Sequence, residues 1–379
     1  MEQETINPNS FKQEIPFRDE QGLIIIDVLI DNKVYNFIFD SGASTILDDD
    51  IVESINYEKI GIQKHKGTSR KKKILKMIKL DSLSIGGVRF SSIVASITDL
   101  ETLKEKFCLD FDGIIGANVM SKAVWQIDYS RKIIILTDSK DSLHQSIDAK
   151  SFYFNATGKG TPMLSLSING QYIGEGQFDT GSNGGIDLPE KDIVTADTTN
   201  AFIVKHGFSS GLFADRLESS RTTIANFKIG SNFELENTLV TFNKVLPYAI
   251  IGNKFMRDYV VTIDWKYQEI VLSSFKPNKE RRYHTFGFSP SFKDGIIVIG
   301  SIYKNSSADR EGLKINDQIV QINTIDCRGV THTNYCELLK KDLLKNGNEL
   351  TITVKRGDKE LTRILMKQDL IKDILNAEY

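Results

Sequence analysis

The chain opens polar over residues 1–22, a lead-in able to contribute one edge strand, and from Leu23 passes into short apolar, β-branched runs divided by tight turns. Leu23 to Ile30 and Val34 to Phe39 flank Asp31-Asn32; Met163 to Ile168 and Tyr172 to Phe178 flank Asn169-Gly170. Asn-Gly suits a two-residue hairpin turn, because both central residues need positive φ. Each hairpin runs straight into an aspartate. The pattern therefore predicts that Asp40 and Asp179 sit just past a strand, where a turn can aim a carboxylate inward.

The hairpins belong to a longer repeat. Asp40-Ser41-Gly42 and Asp179-Thr180-Gly181 lie 139 residues apart, while Ile114-Ile115-Gly116 and Ile250-Ile251-Gly252, like Asp128 and Asp264, lie 136 apart. A three-residue change of offset is what a loop-length difference inside equivalent domains leaves, and the repeat is too long for a solenoid. Strand runs at Ile133 to Leu136 and Ile270 to Leu272 follow in both halves. This predicts a mainly β protein with one lobe over 23–140 and a second over 150–275. After each triplet comes a stretch rich in Gly, Ser and Lys, about 61–73 and 205–216, which reads equally as a mobile hairpin folding over a site or as a plain surface hairpin. Residues 276–282, charged and holding Pro277, have the composition of a linker. Beyond them, over 283–371, short strands precede a helical segment at about 334–345, and strands 349–356 and 360–367 are joined by Gly357-Asp358.

Composition narrows the chemistry. A net charge of -2 gives no whole-chain reason to expect nucleic acid as a partner, and the basic run from Lys64 to Lys73 reads foremost as a solvated hairpin tip. The five histidines are scattered without metal-ligand spacing, so neither metal nor cofactor is expected. Cys108, Cys327 and Cys336, an odd number without a C-x-x-C pair, read as buried, inert thiols. Trp125 and Trp265, in equivalent regions of the two halves, suit core packing. No apolar run approaches the roughly 20 residues a membrane helix needs. The visible chain is expected to be soluble with no membrane span; it reads equally as a mature form whose export signal was removed.

One Asp-Ser/Thr-Gly triplet is an ordinary turn, but two in repeated settings make a paired-carboxylate site the leading expectation. Two carboxyls at one site cannot easily both ionise, so the pair holds one acid and one base. The base takes a proton from water, the water attacks a carbonyl, and the acid hydrogen-bonds the developing oxyanion, without metal. From Leu23 to Ser274 the residues resemble the pepsin-like and retroviral-type aspartic peptidases, on Asp40 to Ser44, Asp179 to Ser182 and the two Ile-Ile-Gly segments. The resemblance implies two fused retropepsin-like acid-protease lobes, Asp40 and Asp179 as the catalytic pair, and support from Ser41, Gly42, Thr180 and Gly181. It implies an endopeptidase acting on a peptide or protein substrate. Two departures favour a rival, a non-catalytic peptide-binding protein or scaffold: the strand into Asp179, Gly174-Glu175-Gly176-Gln177-Phe178, is polar, and the first hairpin after the triplet lacks tyrosine.

The last unit contains Ala308-Asp309-Arg310-Glu311-Gly312-Leu313, then Asp317, Ile319, Ile322 and Asn323. This resembles a PDZ domain, a small α+β fold, of the bacterial type appended to proteases. The resemblance implies that Phe286-Gly287-Phe288 is the loop whose N–H groups hold a peptide's C-terminal carboxylate, beside a strand open to an added peptide strand. The bland alternative is that Phe286 and Phe288 are core aromatics. A PDZ domain behind such lobes also suggests a bacterial periplasmic or envelope protein.

Overall fold

The computed structural model describes residues 6–7, 11–66, 72–198, 201–206, 209–210, 215–216, 219–274, 283–341, 344, 347–370 and 372–373. The expected linker at 276–282 and the tip of the basic run lie outside the described residues.

The protein is mainly β, with two β lobes and a smaller C-terminal unit. In the first lobe, strands Leu23–Ile30 and Lys33–Asp40 form a hairpin around Asp31 and Asn32, both at positive φ. In the second, Pro162–Ile168 and Gln171–Phe178 do the same around Asn169 and Gly170. A later short strand, Gly113–Gly116 or Ala249–Ile251, then inserts parallel to the strand leading into each aspartate. Its apolar residues are buried against the hairpin, so the turn that follows the hairpin is fixed from behind.

A six-stranded sheet joins the lobes, in the order Lys150–Tyr153, Glu269–Ser274, Tyr259–Asp264, Val124–Asp128, Ile133–Thr137 and Lys12–Pro16. At its centre Gln126 faces Thr262, its equivalent by the repeat offset, and the Gln126 amide donates to Thr262 Oγ1 at 2.9 Å. A repeat position paired with its own counterpart marks the pseudo-twofold axis. Trp125 and Trp265 flank this sheet, buried, with their indole N–H groups on the carbonyls of Met120 and Gly160. One hydrophobic core runs through both lobes.

The lead-in does more than add one edge strand. Ile6–Asn7, Lys12–Pro16 and Arg18–Glu20 all pair, because Phe11, Ile15 and Phe17 are buried and anchor the segment. The hairpin after the first triplet is present as Glu58–Lys66 with Lys72–Ile85. In the second lobe Phe202–His206 pairs on one edge with Ser219–Ile229 and on the other with Ile296–Tyr303 of the C-terminal unit. One sheet thus crosses from the second lobe into that unit.

The C-terminal unit has its own core, with helix His332–Lys340 packed beside strands that include Phe288–Lys293 and Ile296–Tyr303. The helix begins earlier than the apolar pattern indicates, because Thr331 caps it by accepting the Asn334 N–H. The expectation of three inert thiols is corrected: Cys108, at the end of helix Glu101–Phe107 in the first lobe, is disulfide-bonded to Cys336 of the C-terminal unit, and only Cys327 is free and buried. The two partners are 228 residues apart, so their spacing carried no signal; docking of the units brings them together.

Candidate active site

Asp40 ends its strand and Asp179 follows its own, and the two turns meet on the pseudo-twofold axis. The backbone of each is tied to the other by a crossed set of bonds. The Ser41 N–H donates to Thr180 Oγ1 at 2.9 Å, and that hydroxyl donates to Phe39 O at 2.9 Å. Reciprocally, the Thr180 N–H donates to Ser41 Oγ at 3.0 Å, which donates to Phe178 O at 2.7 Å. Both hydroxyl residues are fully buried, so breaking either bond would strand a polar group away from water. This is why a small hydroxyl follows each aspartate.

The glycines that complete the triplets serve as floors for the opposite carboxyls. A methyl on Gly181 would fall 2.1 Å from Asp40 Cγ, and one on Gly42 would fall 2.5 Å from Asp179 Cγ. The same glycines hold their own carboxyls in place: the Gly42 N–H donates to Asp40 Oδ1 at 2.7 Å and the Gly181 N–H to Asp179 Oδ1 at 2.9 Å. The structure therefore brings together all six residues that the sequence singled out in the lobes.

The two carboxyls are close enough to share a proton. Burial raises Asp40 above its ordinary range, while bonds from the Gly42 N–H and from Asp179 pull it back. Burial raises Asp179 further, and the charge on Asp40 adds to the rise. The pair therefore loses its two protons in separate steps, and between them one carboxyl is ionised while the other keeps its proton.

Around the pair opens a cavity of 1310 Å³. Its first-lobe side carries Leu23, Ile38, Ile46, Leu103, Phe107 and Ile114; its second-lobe side carries Gln177, Asp187, Thr241, Asn243, Tyr248 and Ile250. The sequence singled out none of Gln177, Tyr248 and Asp187 as site residues, although the repeat offsets reach the first two. Gln177 is the counterpart of Ile38, and Tyr248 that of Asp112, whose carboxylate is instead spent on the Asn36 N–H at 2.7 Å. The Tyr248 hydroxyl is held above its ordinary range by burial and then by the fields of Asp179 and Asp40. Asp187 emerges only from register, as shown below.

The C-terminal unit also lines the cavity, through Ser289 to Asp294, His332 and Tyr335. Phe288–Lys293 pairs with Ile296–Tyr303 on one edge and with no other strand among the described residues. Its neighbours Phe286 and Phe288 are both buried, the Gly287 N–H donates to Thr285 Oγ1 at 3.0 Å, and Gly287 O accepts from the Tyr303 N–H at 2.9 Å. The loop is therefore packed against its own domain.

Among the described residues, two clusters bring three metal-ligating groups together, Cys108 with His332 and Cys336, and Asp48 with Asp49 and Asp99. The first has both thiols in the disulfide, the second has Asp48 ion-paired with Lys104, and neither includes Asp40 or Asp179.

Comparison with known proteins agrees with this layout. Residues 26–119 match the family model of aspartyl proteases, and residues 276–355 match that of PDZ domains. The chain thus carries an aspartyl protease region at its N-terminal end and a PDZ domain at its C-terminal end. No curated protein matches the chain. The crystal structure of Basic 7S globulin from soybean is similar to it at 11% identity, covering 69% of this chain and 94% of that chain with a TM-score of 0.46, too slight a likeness to carry an argument.

Proposed function

We propose that the chain is an aspartic endopeptidase, with lobes over 23–140 and 150–275 sharing the Asp40–Asp179 pair and a PDZ domain over 283–371 that binds peptide. The observation that carries this reading is geometric: two buried carboxyls face each other across crossed glycines, with their turns tied by reciprocal hydroxyl bonds. Ionised Asp40 takes a proton from water as the water oxygen bonds to the scissile carbonyl carbon. Protonated Asp179 gives its proton to the carbonyl oxygen, leaving a neutral gem-diol. On collapse the C–N bond breaks, Asp40 returns its proton to the leaving nitrogen, and a hydroxyl proton of the diol goes back to Asp179. Water and peptide are consumed, acid and amine are formed, and the pair ends as it began. Both carboxyls are shifted upward, so the active window lies above the ordinary carboxylate value of 3.8: it opens as the pair loses its first proton and closes as it loses the second.

The PDZ domain contributes a strand edge that is unpaired among the described residues, Phe288–Lys293, along which an extended peptide can add. In this reading Phe286-Gly287-Phe288 receives the peptide's carboxylate, with the Gly287 N–H exchanging the Thr285 hydroxyl for the charged group.

Turnover of an unstructured protein, measured from acidic to neutral pH with a chelator present, tests the first claim. Asp40→Asn and Asp179→Asn should each remove nearly all cleavage while leaving the fold intact. Cleavage that survives in either variant, or that disappears when the chelator is added, contradicts the pair. An unmutated chain that binds peptide and never cuts it would instead support a non-catalytic groove.

A further inference from the structure

The two sides of the cleft are equivalent in backbone and opposite in chemistry. In the first lobe Ile46 pairs with Ile114; in the second Asp187 pairs with Ile250, the counterpart of Ile114 in the repeat. Ile46 and Asp187 therefore occupy the same structural position on either side of the dyad, and both line the cavity. A carboxylate has replaced an isoleucine where a bound side chain would rest.

Asp187 is half-buried, and its side chain makes no hydrogen bond or ion pair among the described residues. Gly184 makes room for it, since a methyl there would fall 2.2 Å from Asp187 Oδ2. Burial pushes its carboxyl up to about 6, and Lys254 draws it back only in part. The Lys254 ammonium sits 3.4 Å from the centre of the Tyr283 ring, engaged by that aromatic face. His206, on the same side of the cavity, is held down at about 4 by burial and is neutral at neutral pH. An unpaired carboxylate in a partly desolvated pocket is costly in the empty protein and becomes favourable when a cation reaches it. On the opposite side the equivalent position is Ile46, beside Leu23, Ile38 and Ile114, and the charged lining residues of that flank, Glu105 and Lys106, are exposed on helix Glu101–Phe107 and not at that position.

We propose that the second lobe's side of the cleft selects a lysine or arginine side chain through the Asp187 carboxylate, while the first lobe's side takes an apolar one. This rests on the cleft being a peptide site, and it deepens that reading by naming the peptide class.

The test is binding, which does not depend on turnover. The full-length Asp40→Asn chain is titrated with short extended peptides that differ only in lysine against norleucine, moved through each position in turn. At one position lysine should bind about tenfold more tightly, the scale of a single charge-assisted bond. Adding Asp187→Asn should reduce that ratio to about one, and adding Asp187→Lys should transfer the preference to glutamate. Equal affinity for lysine and norleucine at every position overturns the proposal, as does a lysine preference that survives Asp187→Asn or an absence of binding to either peptide. Failure of the peptidase reading looks different: the unmutated chain fails to cut while the lysine preference remains.

Discussion

The strand into Asp40 and the strand into Asp179 reach the same end by different packing. The first buries Phe37, Ile38 and Phe39 as bulk. The second gives up bulk for close approach: Gly176, where a methyl would fall 2.3 Å from Leu166 Cδ1 and 2.9 Å from Ala249 Cβ, lets its neighbours fill the space. Gln177 is almost wholly buried, with its amide against Gly42. A polar strand is therefore no looser than an apolar one when glycine admits neighbouring side chains to its backbone. The lobes also hold the PDZ domain differently. The first uses the Cys108–Cys336 disulfide and the His332 Nε2 contact with Glu105 O at 2.9 Å, whereas the second uses backbone pairing, Val204 opposite Tyr303 with the Lys304 N–H on Ile203 O. Symmetry is retained where the carboxyls meet and abandoned at the flanks of the cavity and where the third domain docks.

The largest effect should come from cutting the covalent attachment. A cross-link spanning 228 residues is worth roughly 5 kcal/mol of loop-closure entropy by the chain model. Cys336→Ser should lower the unfolding free energy by a large part of that. Hydrogen exchange should rise first in helix Glu101–Phe107 and later in strand Phe202–His206, if the two attachments are independent. Simultaneous loosening of both would show that the PDZ domain is held as one unit.

Next in size is the pair of glycine floors. Gly181→Ala pushes directly on Asp40, and Gly42→Ala pushes on Asp179 and on Gln177. Displacing a reacting group by about 1 Å can cost on the order of a hundredfold. Each variant should lose at least about that in kcat/KM while still unfolding cooperatively. A harmless alanine at either position would mean that the carboxyls have room to move, and the crossed arrangement would lose its importance.

The smallest effect separates the two flanks. The Asp187 carboxyl stands at about 6 in the folded protein against 3.8 ordinarily, so between those values the folded state binds more protons than the unfolded one. Stability from this group is therefore fully present below about pH 3.8 and is lost as pH rises through 6. Of the groups near it, Lys254, Tyr283 and Tyr303 do not change charge in that window on their ordinary values, while His206, Asp40 and Asp179, which line the same cavity and do titrate in acid, are common to the variant and the unmutated chain and drop out of the comparison. Asp187→Asn should be more stable than the unmutated chain at pH 7, by on the order of 1 kcal/mol after allowance for partial exposure, with the gain gone near pH 3.5. Ile46→Asn, the matching change on the other flank, should destabilise at every pH by burying an amide without a partner. Thermal unfolding across pH reads both.

The sequence by itself determined the elements and the pair. Two hairpins ending in aspartate, two Ile-Ile-Gly strands and a constant offset were enough to place Asp40 and Asp179 in equivalent turns, because local turn chemistry and strand patterning act over a few residues and leave their mark in the string. The hydroxyl after each aspartate and the glycine after that were legible for the same reason. Only the tertiary structure decided what each residue faces across the axis or across a domain boundary. Asp187 looked like an ordinary polar residue until strand register set it opposite Ile250, at the place Ile46 holds in the other lobe. Cys108 and Cys336 looked inert because nothing local ties residues so far apart; the disulfide follows from the docking of helix Glu101–Phe107 against helix His332–Lys340. The polar strand into Asp179 reads as loosely packed from composition alone, because the apolar contacts around it belong to Leu166 and Ala249, which reach it from other strands.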